Sequence, residues 1–213
     1  MRVLNLYAGI GGNRKLWTKE NTGLDLQITA VELDPNIAKI YQDFFPDDEV
    51  IVGDAHQYLL DHYKEFDFIW TSPPCPTHSR MNFLGNEQEG KSVKYPDMKL
   101  YQEVIYLTHW FKGKFCVENV ISYYKPLIHP QEVAAHYFWA NFYIRPIGGK
   151  FRNIKRVSKV QDHIDEKIKQ YGFDSHDMIK GNKGRQIMNN CVHPELGLHI
   201  FNSMNNQELK LNL

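Results

Sequence analysis

The chain is poor in cysteine, has no apolar run of membrane-spanning length, contains no internal repeat or low-complexity tract, and carries no net charge. Its three cysteines, Cys75, Cys116 and Cys191, stand far apart among 213 residues with no C-x-x-C pair. That spacing excludes a disulfide framework and offers no metal-ligand pattern, so no metal is expected and a reducing setting suits the protein. The apolar opening Met1–Leu6 is too short for a secretory signal. With no membrane span either, the expectation is a soluble, cytoplasmic protein without membrane association. A length of 213 residues supports one sizeable core, so residues 1–213 are expected to form a single domain.

Zero net charge argues against a surface given over to phosphate, but the charges are unevenly spread. Residues 1–70 hold 6 Lys/Arg against 12 Asp/Glu, whereas residues 145–185 hold 11 against 5. The acidic end and the basic end belong to one domain, and the basic segment either faces a phosphate backbone or is an ordinary solvated loop.

The chain is organised around Phe66–Arg80. An apolar run of strand character, Phe66–Thr71, ends at Pro73 and Pro74, neither of which can donate to a ladder, so the strand stops where Cys75 begins. A thiol held between Pro74 and Pro76 has a stiff backbone, which suits a nucleophile; a free cysteine is also commonly a small buried apolar residue.

Other segments bring further groups to the same edge. Arg2–Tyr7 reads as a strand that stops at Ala8-Gly9-Ile10-Gly11-Gly12, followed by Asn13–Trp17 with helical character. Glycines at such a junction let the backbone approach a ligand closely. Gln27–Leu33 is a second strand, and its acid lies about 20 residues after the glycines, placed to accept ribose hydroxyls. Glu32 is preferred for this over Asp34, which can cap the helix opening at Pro35. Glu49–Val52 leads to Asp54, a partner for a purine amino group or a cap for the helix 55–64. Residues 98–111 read as an amphipathic helix, and Lys114–Val120 as a fifth strand ending at Glu118-Asn119. Strands alternating with helices indicate an α/β fold with a doubly wound, mostly parallel sheet and ligands at the carboxyl ends of its strands. The stretch from Met81 to Asp97 lacks periodicity, and residues 76–97 are expected to form a lid over Cys75.

Taken together, these motifs resemble the DNA cytosine-5 methyltransferases. Leu6–Gly12 is similar to the family's S-adenosyl-L-methionine loop, Pro73–Ser79 to its nucleophile motif, and Glu118-Asn119-Val120 to its acidic motif. Asn189-Asn190-Cys191-Val192-His193-Pro194 is similar to the last motif, which closes the cofactor pocket. The resemblance implies a Rossmann-like methyltransferase fold, with Cys75 adding to cytosine C6 and Glu118 assisting at N3. It implies a cofactor site of Tyr7, Ala8, Gly9, Gly11, Gly12, Glu32, Asp54, Pro73, Asn190 and Val192. The implied substrate is double-stranded DNA, with the base flipped out of the helix.

The sequence departs from the family in two places. The Arg-x-Arg expected after the acidic motif is missing from Pro130–Phe142, where His136 could donate instead and is carried in the catalytic set. Arg145, Arg152 or Arg156 could also reach in. The segment 145–185 is too short for a recognition domain with its own core, so a short or relaxed target is expected. In the final motif Asn189 stands where a glycine is usual, and asparagine also adopts the left-handed conformation such a turn needs. Other readings are the same chemistry on tRNA or other RNA, or a silent accessory subunit. Compactness would suit a phage or mobile element, hence a bacterial or phage-infected host and a restriction-modification setting. A protein partner or oligomer is left unread.

Overall fold

The computed structural model describes residues 1–80, 83–84, 94–148, 159–206 and 208–211. Its strands are β1 (Arg2–Leu6), β2 (Gln27–Glu32), β3 (Glu49–Val52), β4 (Phe68–Thr71), β5 (Lys114–Val120), β6 (Gln131–Val133) and β7 (His136–Ala140). Its α-helices are α1 (Lys19–Thr22), α2 (Pro35–Phe44), α3 (Ala55–His62), α4 (Lys99–Trp110), α5 (Val160–Tyr171), α6 (Gly181–Asn190) and α7 (Pro194–Ser203). The seven strands form one sheet in the order β3-β2-β1-β4-β5-β7-β6. Strands β1 to β5 pair in parallel, while β7 runs antiparallel to β5 and β6 antiparallel to β7. The mostly parallel sheet expected from the sequence is therefore present.

Period-two alternation divides the strands between two cores. Leu4, Leu6, Ile69, Val117 and Trp139 point to one face and pack against α3 and α4 through Leu59, Leu100, Val104 and Leu107. Val3, Phe68, Trp70, Cys116 and Phe138 point to the other, against Leu196, Ile200 and Phe201 of α7. On that second face Ile10 and Ala30 join α2, α5 and α6 through Ile40, Tyr41, Ile164 and Ile187. Helices thus cover both faces, and each fully buried Leu, Ile or Phe contributes roughly 1.5–3 kcal/mol. The chain leaves β1 for β2 and β3, then returns to lay β4 on the other side of β1. This reversal opens a crevice at the carboxyl ends of β1 and β4, where a doubly wound sheet takes its ligands.

The helix expected at Asn13–Trp17 does not form. That stretch is a series of turns, with Arg14 N bonded to Gly11 O (3.1 Å) and Trp17 N to Arg14 O (2.9 Å), and the four-residue α1 follows. Tertiary contacts override helical propensity here. Asn13 is buried and its amide donates to Asn5 Oδ1 of β1 (2.8 Å), while Trp17 Nε1 donates to Gly197 O of α7 (3.2 Å). No helix of the described residues is long and apolar enough to cross a membrane.

Strands β6 and β7 are joined by Ala134 and Ala135, with φ values of 50° and 63°. Two consecutive left-handed residues are the signature of a type I′ turn, which favours Asn-Gly because a Cβ is strained there. The double variant Ala134→Asn/Ala135→Gly is expected to stabilise the protein by about 1 kcal/mol, raising the melting temperature by roughly 2–4 °C. Differential scanning calorimetry checks this; a lower melting temperature would show that the alanines relieve the strain elsewhere.

Candidate active site

The glycine loop lies between three neighbours that dictate its sequence. Tyr7 has φ of 53°, an unusual conformation for an aromatic residue and a strained one. Ala8 N then bonds to Val31 O (3.0 Å) and Gly9 N to Glu32 Oε2 (3.0 Å), which ties the loop to the end of β2. At Gly11, with φ of 82°, a Cβ would run into the rings of Phe45 and Tyr41. At Gly12 it would overlap Cys191 Sγ and Val192 O, because the segment after α6 docks directly on the loop.

The acids at the strand ends divide their work. Asp34 caps α2 by accepting from Asn36 N (2.8 Å) and also pairs with Lys183 (3.2 Å). Glu32 takes the backbone amides of Gly9 and, at 2.9 Å, of Asp34. Asp54 caps α3 through His56 N (2.9 Å) and lies 3.6 Å from Lys99 Nζ. Between these acids two apolar side chains point outward, Leu33 and Val52, with 69% and 56% of their surface exposed.

Pro73 and Pro74 lead the chain off β4. The carbonyl of Pro73 accepts from Asn119 Nδ2 (2.9 Å), and Asn119 Oδ1 accepts from Val120 N (3.0 Å). Asn119 is 2% exposed, so this bond between the two motifs is sheltered from water. Cys75 follows, half-buried, with its carbonyl accepting from His78 N (2.9 Å) and Ser79 N (3.1 Å). Burial first, and the charge of Glu118 second, push the Cys75 thiol up to about 11. Thr77 Oγ1 accepts from Asp97 N (2.9 Å), so the two ends of the expected lid meet beside Cys75. Half of that lid, residues 81–82 and 85–93, lies outside the described residues.

Glu118 projects from β5 on the same face as Trp70 and Phe138. Burial raises its carboxyl above the ordinary range, partly offset by His136 and by the Ser72 hydroxyl, which donates to it. Ser72 Oγ itself accepts from Trp70 Nε1 (2.8 Å). His136 sits diagonally across the β5–β7 pair, with Nε2 3.9 Å from Glu118 Oε1, too long for a hydrogen bond. Its Nδ1 is 3.1 Å from Ala134 O, a carbonyl that can only accept. Nδ1 therefore carries a proton, and Nε2 is the ring atom that faces Glu118.

Cys75, Glu118 and His136 thus share one end of the sheet with the glycine loop, Glu32 and Asp54. In the last motif Cys191 and Val192 reach the loop, whereas the side chain of Asn190 is exposed at the end of α6. The left-handed turn expected at Asn189 is not formed. Asn189 continues α6, held there by Lys167 Nζ, which donates to its Oδ1 (2.9 Å) and to Met188 O (3.0 Å). A buried cation on the last carbonyls of a helix favours another helical residue over a reversal. Arg145 is exposed and its carbonyl accepts from His199 Nε2 (2.8 Å), while Arg152 and Arg156 lie outside the described residues.

Asn119 has a role that sequence reading did not assign, although a proline pair with an unpaired carbonyl beside a buried strand signals the need for a donor. Asn119→Ala leaves Pro73 O buried without that donor and is expected to cost about 1–3 kcal/mol. Chemical denaturation measures the loss, and faster amide exchange at Cys75–Ser79 would locate it; an unchanged midpoint would remove Asn119 from the account of the loop.

The model of the family described as C-5 cytosine-specific DNA methylase matches residues 1–126. No curated protein matches the chain. Among solved structures, a DNMT2 from Spodoptera frugiperda is 26% identical with a TM-score of 0.38, over 56% of this chain and 35% of its own. A protein assigned as a DNA modification methyltransferase, encoded within a prophage of Escherichia coli, is 19% identical with a TM-score of 0.38, over 59% of this chain and 33% of its own. TrmN from Thermus thermophilus is 15% identical with a TM-score of 0.38, over 62% of this chain and 38% of its own. The alignments thus take in well under half the length of these three proteins. The family match spans more than half of this chain and includes the glycine loop, Glu32, Asp54, Cys75 and Glu118, while His136 and the last motif lie beyond it. By that match, on a seven-stranded sheet of the Rossmann-like methyltransferase type, the chain belongs to the C-5 cytosine-specific DNA methylases.

Proposed function

We propose that the protein transfers a methyl group from S-adenosyl-L-methionine to C5 of cytosine in double-stranded DNA, through a covalent bond between Cys75 and C6 of a flipped base. The observation that carries this reading is the placement of Cys75 and Glu118 at one end of the sheet, where Asn119 ties the acidic motif to the carbonyl of Pro73. The charge of Glu118 adds to burial in pushing the Cys75 thiol up, so protonation of Glu118 eases formation of the thiolate.

The residues around the glycine loop fit the cofactor. The cradle from Tyr7 to Gly12 has no room for side chains at Gly11 or Gly12, and Gly9 faces open space. Glu32 and Asp54 offer carboxylates for ribose and for an amino group, and exposed Leu33 and Val52 offer apolar surface for an aromatic ring. Pro73, Asn190 and Val192 complete the proposed set. When bound, S-adenosyl-L-methionine supplies an electrophilic methyl group.

Cytosine C5 is a weak nucleophile until a thiolate adds to C6, so the Cys75 thiol first gives up its proton to water. Glu118, whose burial favours the protonated form, is suited to give its proton to N3 as Cys75 attacks. Formation of the S–C6 bond moves the ring's electron pair toward C5, and a proton on N3 neutralises the charge this creates. After C5 is alkylated, loss of its proton to water or another base expels the thiolate and restores the ring. His136 orients Glu118 from β7, where a charged arginine pair was expected from the family. Of the basic segment 145–185, Lys180 pairs with Asp177 and Lys183 with Asp34, while Arg145, Lys169 and Arg185 are exposed and available to phosphates. The single-domain reading of residues 1–213, with a reduced recognition segment, is part of this proposal.

Incubation with methyl-labelled donor and either duplex DNA or tRNA tests the substrate, and a 5-fluorocytosine oligonucleotide traps the adduct. Label in DNA together with a trapped adduct is expected; label confined to RNA would transfer the same chemistry to that substrate. Cys75→Ala is expected to abolish transfer while leaving cofactor binding unchanged, and near-wild-type turnover would refute the covalent route. Glu118→Gln separates two effects. Turnover falls by about 10²–10⁴ for loss of the general acid, whereas alkylation of Cys75, which in the wild type rises toward pH about 11, moves to lower pH as the neighbouring charge disappears. An alkylation profile that does not move would mean the two groups are uncoupled.

A further inference from the structure

We infer that Glu103 of α4 is a positioning residue that holds the glycine loop and the nucleophile strand in one arrangement, and that His56 makes this hold sensitive to pH. The inference rests on the reading of Tyr7–Gly12 as the cofactor loop.

Glu103 is 1% exposed, and a buried carboxylate without partners would be strongly unfavourable. It has three partners. Oε1 accepts from Tyr7 Oη (2.6 Å) and faces His56 Nδ1 (2.9 Å), and Oε2 accepts from Thr71 Oγ1 (2.6 Å). These groups come from three places that the proposed reaction brings together. Tyr7 begins the glycine loop after β1, Thr71 ends β4 just before Ser72-Pro73-Pro74-Cys75, and His56 lies in the first turn of α3 behind Asp54.

The contact with Tyr7 matters most. Its backbone is in the left-handed region, which an aromatic residue adopts only when its surroundings hold it there. The bond from its hydroxyl to a buried carboxylate is such a restraint, and it sets the direction in which Ala8 and Gly9 leave β1. Release of Tyr7 would let the loop relax, and affinity for the cofactor would fall in proportion to the lost population of the competent loop. The start of α4 also reaches the lid and the purine side. Asp97 N bonds to Thr77 Oγ1 (2.9 Å), Asp97 Oδ1 caps Lys99 N (3.0 Å), and Lys99 Nζ lies 3.6 Å from Asp54.

The charged and titratable groups around His56 are Glu103 and Lys99 of α4, Asp54 before α3, and Tyr7 of the loop. The hydrogen bond to Glu103 holds the imidazole above its ordinary range, with burial opposing; the charges of Glu103 and Asp54 add to the rise and Lys99 opposes it. The cationic form therefore supports the arrangement below the ordinary histidine range, and that support is lost as pH rises through the elevated value. Loss of a charge-assisted bond weakens cofactor affinity by about fivefold across this range.

The test is calorimetric titration of the full chain with S-adenosyl-L-homocysteine from mildly acidic to mildly basic pH, for wild type, Tyr7→Phe, Glu103→Gln and His56→Gln. Tyr7→Phe, which removes only a hydroxyl and keeps the ring, is expected to weaken binding about tenfold. Wild-type affinity is expected to fall with rising pH, and His56→Gln to flatten that dependence. Glu103→Gln is expected to combine weak binding with a flat profile; if it does not fold, the other two variants decide. Wild-type-like affinity in Tyr7→Phe, or a pH dependence that survives in His56→Gln, would overturn the inference while leaving the cofactor reading intact. Wild-type protein that binds at no pH would overturn the cofactor reading and this inference with it.

Discussion

The carboxyl end of the sheet's central strands depends on the hydrogen bond from Asn119 to the carbonyl of Pro73. Two prolines in succession remove the amide donors that would otherwise anchor the chain after β4, so its direction is set by an acceptor and by the side chain that meets it. Asn119 sits one residue after Glu118 on the neighbouring strand. Parallel pairing of Thr71 with Val117 brings the ends of β4 and β5 level, and Asn119 spans the gap. The acid and the thiol are thereby set against each other by a buried contact between main chain and side chain. The lid has no part in that contact.

Two buried carboxylates, Glu103 and Glu118, lie at this end of the sheet with opposite surroundings. Glu103 accepts from two hydroxyls and faces an imidazole, so its hydrogen-bonding capacity is largely used. Glu118 receives one hydroxyl and faces a histidine beyond bonding distance. A saturated carboxylate holds structure in place, whereas an undersatisfied one in a dry site retains the capacity to move a proton. The contrast comes from placement: Glu103 lies where three chain segments converge, and Glu118 lies near the end of β5 beside the strand end that leads to Cys75.

The order of the first five strands was legible because apolar runs ended at glycine, proline or an acid, and each boundary coincided with a strand's carboxyl end. The placement of Cys75, Glu118, Glu32 and Asp54 at one end of the sheet was legible for the same reason, since each follows or closes an apolar run. Asn13–Trp17 was misread as helical because its polarity pattern fits a helix, while its actual partners, Asn5 and Gly197, are distant in sequence or on another strand. Asn189 was misread because its helix is stabilised by Lys167, a buried cation that composition classes as surface. Glu103 was not singled out at all: on a helical wheel it is one acid among others, and only folding brings Tyr7, His56 and Thr71 to it.

The docking of Cys191 and Val192 on Gly12 has a consequence for how the protein is made. The glycine loop is synthesised before residues 191–192, yet these build one of its walls from about 180 positions later, and Trp17 is tied to Gly197 across a separation of 180. Contacts of such long range close late, because the intervening chain must be ordered first. A nascent chain therefore emerges with Cys75, Glu118 and its central strands in place but with the loop still open on one side. The loop is walled in on that side only when the segment around residues 191–204 swings back.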